Sequence, residues 1–324
     1  MGLWGVPEDF PLLEVEEWKA VLAESRRQAV LGVVYEGAKS LSNDRMPPQE
    51  QSVDLLMESY AIERRSAYVQ EVFEALTALF RSKGLSPVVQ KGPSVAQYYR
   101  NPLSRRSGDI DFYFSPEEFA PARKVAEGEG IQVAEEPDGS LCYRWRNVTV
   151  EHHGSYYDSR CQFPDVEIPS AEATLLLLST HILKHAIGAG IGLKQFCDAA
   201  VAFKALDGKY DRASLARHLK KAGLLKWQRM LEAFLCKYLG VEPQYLPVSG
   251  AYPKAVSPEP LMEIVMEGGD FGHYNPRRSL FVSSARRKRN TLEFFMRRIP
   301  FALRTAPREW FHTLWRLVRG NLSH

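Results

Sequence analysis

Residues 86–114 read SPVVQKGPSVAQYYRNPLSRRSGDIDFYF, and the last six of them decide the fold. Ile110, Phe112 and Phe114 alternate with Asp109, Asp111 and Tyr113, the period of a half-buried strand. Residues two apart on a strand share a face, so Asp109 and Asp111 project together while the apolar residues enter a core. Upstream, Pro87 to Gln90 reads as a short strand that runs into the turn Lys91-Gly92-Pro93-Ser94, followed by a helical turn or two from Val95 to Tyr99. Downstream, Ser115-Pro116-Glu117-Glu118 starts a helix, with Ser at the cap, Pro in the first turn and acids after it. Ile131–Ala134, Leu141–Trp145 and Asn147–His153 are three further strand candidates. Together they predict a small mixed α/β unit over residues 86–158.

On either side of this unit the periodicity is helical. Trp18, Val21, Leu22, Ala29, Val30 and Val33 predict helix from Val15 to Ser40. Leu55, Ile62, Val69, Val72, Leu76 and Phe80 predict a long helix from Ser52 to Lys83, with Gly84 at its end. After Ser170 the chain turns helical again through Leu239, and Val241 to Asp270 reads as loop-rich. The expected fold class is α+β: an N-terminal helical region (1–85), a small mixed-sheet core (86–158) and a C-terminal helical domain (159–324).

Composition sets outer limits. With 324 residues, 45% hydrophobic and 25% charged, the chain is neither disordered nor low-complexity. Lys and Arg total 42 against 39 Asp and Glu, a net charge of 42 − 39 = +3, so no overall excess of charge dictates a partner. Cys142, Cys161, Cys197 and Cys236 lie far apart without a CxxC pair, which predicts reduced cysteines and a cytoplasmic protein. No secretory leader is evident at the N-terminus. The apolar run Ala171–Leu193 is broken by His181, Lys184 and His185 and reads as a buried helix, not a membrane span.

The chemistry gathers around the two aspartates. Like charges held this close repel, and oxygen-only ligands select a hard divalent cation such as Mg²⁺ or Mn²⁺. In Val148-Thr149-Val150-Glu151-His152-His153 the valines take one face, with His152, and Thr149, Glu151 and His153 take the other. Glu151 completes a three-carboxylate cluster if its strand lies beside that of Asp109. The Gly92 turn, the N–H groups after it and the Ser94 hydroxyl can cradle a triphosphate. Metal carboxylates beside a phosphate cradle are the parts needed for nucleotidyl transfer from an NTP.

At this point the residues resemble a known family. A strand, a Gly and Ser turn into a helix, Asp-x-Asp on a strand and a third acid on a later strand look like the polymerase-β-type nucleotidyltransferase superfamily. Lys91-Gly92, Tyr98-Tyr99, Arg105, Gly108-Asp109-Ile110-Asp111, Glu151 and His153 resemble more closely the uncharacterised nucleotidyltransferase family of bacteria, as does His181…His185…Leu193…Asp198. The resemblance implies that Asp109 and Asp111 bind metal and that Glu151 is a third ligand or the base for the acceptor. It implies that Gly92 and Ser94 bind nucleotide phosphates and that Lys91 and Arg105 contact phosphate. Pro93, between Gly92 and Ser94, departs from the broad superfamily, in which the two are adjacent.

Other residues carry weaker signals. His181 and His185 are one helical turn apart and read as buried histidines near a substrate cleft, which Lys184, Asp198 and His153 would also line. The tail from Arg277 to Arg319 is strongly basic. It predicts first a solvated helical face and, second to that, nucleic-acid contact. The alternative to an enzyme is a non-catalytic nucleotide- or nucleic-acid-binding protein of the same fold. The acceptor is open among a small molecule, a protein and an RNA.

Overall fold

The computed structural model describes residues 2–5, 10–136, 138–157, 162–188, 190–249, 256–275 and 293–322, with side chains as far as 315. Cys161, position 158 of the expected boundary and the tail cations Arg277, Arg278, Arg286, Arg287, Lys288 and Arg289 lie outside the described residues, as do the side chains of Arg316 and Arg319. The protein is α+β, and its chain divides into two compact units, Met1–Tyr156 and Tyr157–His324.

The first unit is built on a five-stranded sheet: β1 (Val88–Val89), β2 (Asp109–Tyr113), β3 (Ala134–Glu135), β4 (Leu141–Trp145) and β5 (Val148–His153). Their spatial order is β1-β2-β5-β4-β3. Strands β2 and β5 pair in parallel, and every other neighbouring pair is antiparallel. The alternation in the sequence sets the faces: Ile110, Phe112, Val148 and Val150 are all 0% exposed. On that face lie α3 (Gln49–Ser82), through Val69, Val72, Leu76 and Phe80, and, beyond the one-turn α4 (Pro93–Ala96) that follows β1, α5 (Pro116–Gly128), through Ala122 and Ala126. The Phe112 ring stacks on Phe73 at 5.8 Å and meets the edge of Phe80 at 5.8 Å. The opposite face carries Asp109, Asp111, Thr149, Glu151 and His153.

Where one helix is expected over Val15–Ser40, two form, α1 (Val15–Arg27) and α2 (Leu31–Ala38). The chain breaks at Ala29, which takes φ 56, and the Val30 N–H bonds back to the Ser25 carbonyl at 2.9 Å. That closure normally uses glycine, so the sequence gives no warning of it. The N-terminal half of α3 packs Leu55 with Leu22, Leu31 and Ala38. Gly32 in α2 is required by a close approach, because a Cβ there would lie 2.2 Å from the Ser104 carbonyl oxygen.

The second unit is helical. Helix α6 (Ala171–Ile187) is capped by Ser170, whose hydroxyl accepts from the Ala173 N–H at 3.1 Å, and it buries Leu175 to Leu178, Ile182 and Leu183. Around it lie α7 (Leu193–Ala205), α8 (Arg212–Ala222), α9 (Leu225–Leu239), α10 (Glu259–Gly268), α11 (Ile299–Thr305) and α12 (Pro307–Leu322). Helix α10 falls inside the stretch read as loop. Pro258 and Pro260 mask its start, while Leu261, Ile264 and Val265 give it a buried face. Among the described residues, no helix is long and apolar enough to cross a membrane.

Two features of the tail follow from packing. Phe294, Phe295 and Trp310 are buried, with Phe295 stacked on Trp310 at 5.2 Å, whereas Phe311 and Trp315 are exposed. Arg297 and Arg298 pair with Glu267 of α10, at 3.7 and 2.5 Å. Part of the tail's charge is thus met by an acid distant in sequence.

Candidate metal and phosphate site

The parallel register of β2 and β5 builds the site. Asp109 pairs with Thr149, Asp111 with Glu151 and Tyr113 with His153. Paired residues present side chains on the same face, so Glu151 joins the aspartates there. Ligand atoms of Asp111, Glu151 and His153 all lie within 4.8 Å of one another, the one such group of three found among the described residues. Asp109 shares the face but stands outside that group, and its side chain is exposed where Asp111 is only 5% exposed.

Charge in the site is balanced locally. His153 Nε2 lies 3.3 Å from Asp111 Oδ1 and 3.4 Å from Glu151 Oε2. Burial alone would lower its pKa, but the hydrogen bonds to the two carboxylates outweigh it and raise the imidazole to about 9. Lys91 Nζ lies 3.5 Å from Asp111 Oδ1, with a side chain only 14% exposed, so the lysine is not a solvated strand-end residue. His152 points the other way, into the core. Its Nε2 meets the Tyr143 hydroxyl at 2.8 Å, and burial, helped by the charge on His153, lowers it to about 3.

The turn before β2 is held by backbone geometry. Gly92 adopts φ 65 and ψ −110, a region essentially reserved for glycine. Its carbonyl accepts from the N–H groups of Val95 and Ala96 at 3.1 and 3.0 Å. Pro93 has no N–H at all, so the expected cradle of backbone donors is thinner than the sequence suggests. Ser94 Oγ lies 3.4 Å from the Gln90 carbonyl, and Lys91 brings the cation. Arg105 is 6% exposed rather than solvated, and its carbonyl accepts from the Ser66 hydroxyl at 2.8 Å.

One residue of this unit escaped the sequence reading. Gln90, 1% exposed, donates its side-chain amide to the carbonyls of Ser155 (3.0 Å) and Tyr156 (2.7 Å). Its own N–H bonds to the Asp111 carbonyl at 3.0 Å. Gln90 therefore ties the Gly92 turn, β2 and the segment after β5 together. A polar residue at the end of an apolar run was the available signal.

The remaining candidates lie in the second unit. His181 and Asp198 are buried, His185 is half-buried and Lys184 is exposed. The His181 and His185 rings meet edge to face at 4.6 Å, and His185 meets Phe271 at 4.7 Å. They form no three-ligand metal group among the described residues.

The comparisons with known proteins agree with this geometry. A family model described as uncharacterised nucleotidyltransferase matches residues 14–237, well over half of the chain. No curated protein and no solved structure matches it. The match covers both the carboxylate strands and the helices that follow, and the chain belongs to the uncharacterised nucleotidyltransferase family.

Proposed function

We propose that the protein transfers a nucleoside monophosphate from an NTP to an acceptor hydroxyl or phosphate, with release of pyrophosphate. Family membership supports transferase chemistry, and the observation that carries the reading is the pairing of Asp111 with Glu151 beside His153. Two carboxylates and an imidazole are a mixed oxygen and nitrogen donor set that suits Mn²⁺, while the carboxylates alone suit Mg²⁺. Asp111 is buried, and Lys91 and His153 balance its charge in the absence of an ion. In this reading Asp111 and Glu151 hold the ion, Asp109 on the same face is a further carboxylate for it, and His153, protonated while it bridges the two acids, would join as a nitrogen donor only on giving up that proton. A bound divalent ion would supply charge neutralisation for the triphosphate and activation of the acceptor oxygen.

The chain's own groups do the rest. Lys91, Ser94 and Arg105 engage phosphate oxygens beside the Gly92 turn. A carboxylate of the cluster accepts the acceptor's proton as the new P–O bond forms and pyrophosphate leaves. Cys142, Cys197 and Cys236 stand as thiols outside any disulfide among the described residues, which fits a reducing compartment, and we place the reaction in the cytoplasm.

The test is pyrophosphate release from NTP with Mg²⁺ or Mn²⁺ and a panel of acceptors, comparing the parent with Asp111→Asn plus Glu151→Gln. The reading requires release by the parent and its loss in the variant. Equal release by both would reject the assigned roles. NTP binding without turnover on any acceptor would favour a non-catalytic binding protein.

A further inference from the structure

We propose that the acceptor is the end of a single-stranded RNA, held on an arginine and aromatic patch that leads to the carboxylate face. As an acceptor assignment this rests on the transferase reading; as a binding site it does not.

The patch is assembled from α3 and the β4–β5 turn, both in the first unit. On α3 the Arg64 guanidinium lies 6.0 Å from the Tyr60 ring centroid, and that of Arg65 lies 5.8 Å from Tyr68. At the turn Arg146 sits 4.4 Å over Trp145. The two parts are fastened together. Tyr68 donates its hydroxyl to the Arg146 carbonyl at 2.8 Å, and Arg65 donates to the Asn147 carbonyl at 3.2 Å. Arg144 donates to the Asn147 side chain at 3.2 Å. Tyr60 and Tyr68 are 58% and 38% exposed. Among the described residues, none of Arg64, Arg65, Arg144 and Arg146 pairs with a carboxylate.

The turn itself is informative. Arg146 and Asn147 take φ 44 and 62, the two positive values of a tight hairpin turn. Asn and Gly suit both positions, and an arginine there carries strain. A long cation is thus held at the tip at a cost in backbone energy.

Of the patch, Arg144 shares the carboxylate face, while α3 and Trp145 lie on the apolar face, so a bound strand would round the β4–β5 tip to reach the site. Arg144 pairs with Thr149, and Thr149 with Asp109. The next row is Cys142, Glu151 and Asp111. Arg144 therefore lies on the carboxylate face, two strands or roughly 10 Å from Asp109 at the usual strand spacing.

Guanidinium forks take phosphodiester oxygens, and aromatic faces stack bases. Only an unpaired strand offers both together, since a duplex hides its base faces and is read by an element that enters a groove. An acidic peptide would satisfy the arginines and leave the tyrosine faces unused. Of unpaired strands, RNA is the one commonly recognised at its single-stranded loops and ends, with unstacked bases laid on aromatic side chains or guanidinium planes.

The experiment is fluorescence anisotropy of a short labelled single-stranded RNA with the full chain over a range of salt. Single-stranded DNA of the same sequence and duplex RNA are parallel arms. The patch variant is Arg64→Gln plus Arg146→Asn, the second chosen because Asn suits the turn. A Tyr60→Ser variant removes the ring beside Arg64 and should weaken binding as well; binding equal to the parent's would overturn the stacking role. We expect tightest binding to single-stranded RNA and roughly tenfold weakening in the patch variant. The salt slope should fall by about 1.4, at roughly 0.7 for each lost phosphate contact. Circular dichroism and Mn²⁺–NTP binding should match the parent. Asp111→Asn should keep RNA binding, so failure of the transferase reading is seen separately from failure of the patch. The proposal is overturned if the patch variant binds like the parent, or if DNA or duplex RNA binds as tightly. Loss of binding in Arg286→Gln plus Arg287→Gln with the patch intact would also overturn it. So would a patch whose mutation alters only self-association.

Discussion

Asp111 stands directly opposite Glu151 across the parallel β2–β5 pair, and this relationship brings two acids forty residues apart in the chain onto one spot of the sheet. His153, two residues further along β5, hydrogen-bonds both and neutralises part of the charge they concentrate.

Loss of either carboxylate should abolish divalent-ion binding more completely than loss of a supporting residue. Removing an outer partner of a metal ligand typically costs roughly 10- to 100-fold in affinity. Asp111→Asn and Glu151→Gln should each meet or exceed that range for Mn²⁺, followed by electron paramagnetic resonance of the free ion. Unchanged Mn²⁺ affinity in both would remove these residues from the site.

Gly92→Ala should destabilise the first unit through backbone conformation rather than collision. A Cβ there would lie 3.6 Å from the Asp109 carbonyl oxygen, an ordinary contact, but φ 65 with ψ −110 is unsuited to alanine. The expected loss is about 1–3 kcal/mol, read from urea denaturation. A neutral result would mean that the turn relaxes to another conformation.

Gln90→Ala should cost about 1–3 kcal/mol, since it strips the donor from the Ser155 and Tyr156 carbonyls. Amide hydrogen exchange of β2 should quicken as well, because the Gln90 N–H is bonded to the Asp111 carbonyl. Protection of β2 identical to the parent's would argue against a linking role.

A pH dependence is built into the second unit. Glu232 of α9 is buried, and burial raises its pKa from 4.5 despite hydrogen bonds from the Val248 and Ser249 amides and from Gln228. The folded state therefore holds a proton that the unfolded chain gives up, so stability falls as pH rises from about 4.5 towards the raised value. Glu232→Gln cannot titrate and should flatten that part of the stability–pH curve relative to the parent. The same slope in both proteins would show that Glu232 is not the source.

Phe112→Ala tests whether the core sets the site. Phe112 is 0% exposed and lies between Asp111 and Tyr113 on β2, packed on Phe73 and Phe80. A cavity of that size should cost about 3–5 kcal/mol, measured by thermal or denaturant unfolding. A loss below 1 kcal/mol would mean the surrounding rings collapse to fill it.

The period of two through Ile110, Phe112 and Phe114, and through Val148 and Val150, determined from sequence alone which side chains are core and which face outward. Helical spacing similarly located α3, and Ser170 marked the start of α6. The break at Ala29 and helix α10 were not legible, because one lacks the glycine usual at such a closure and the other starts among prolines. Lys91 and Arg105 could not be told from solvated cations, since burial depends on what packs over them. Above all, period fixes the face of a strand and not its neighbour. Only the tertiary structure decided that β5 lies parallel to β2 with Asp111 against Glu151. It placed His153 with that pair and left Asp109 at the margin, because register is set by hydrogen bonds between segments that the chain itself keeps far apart.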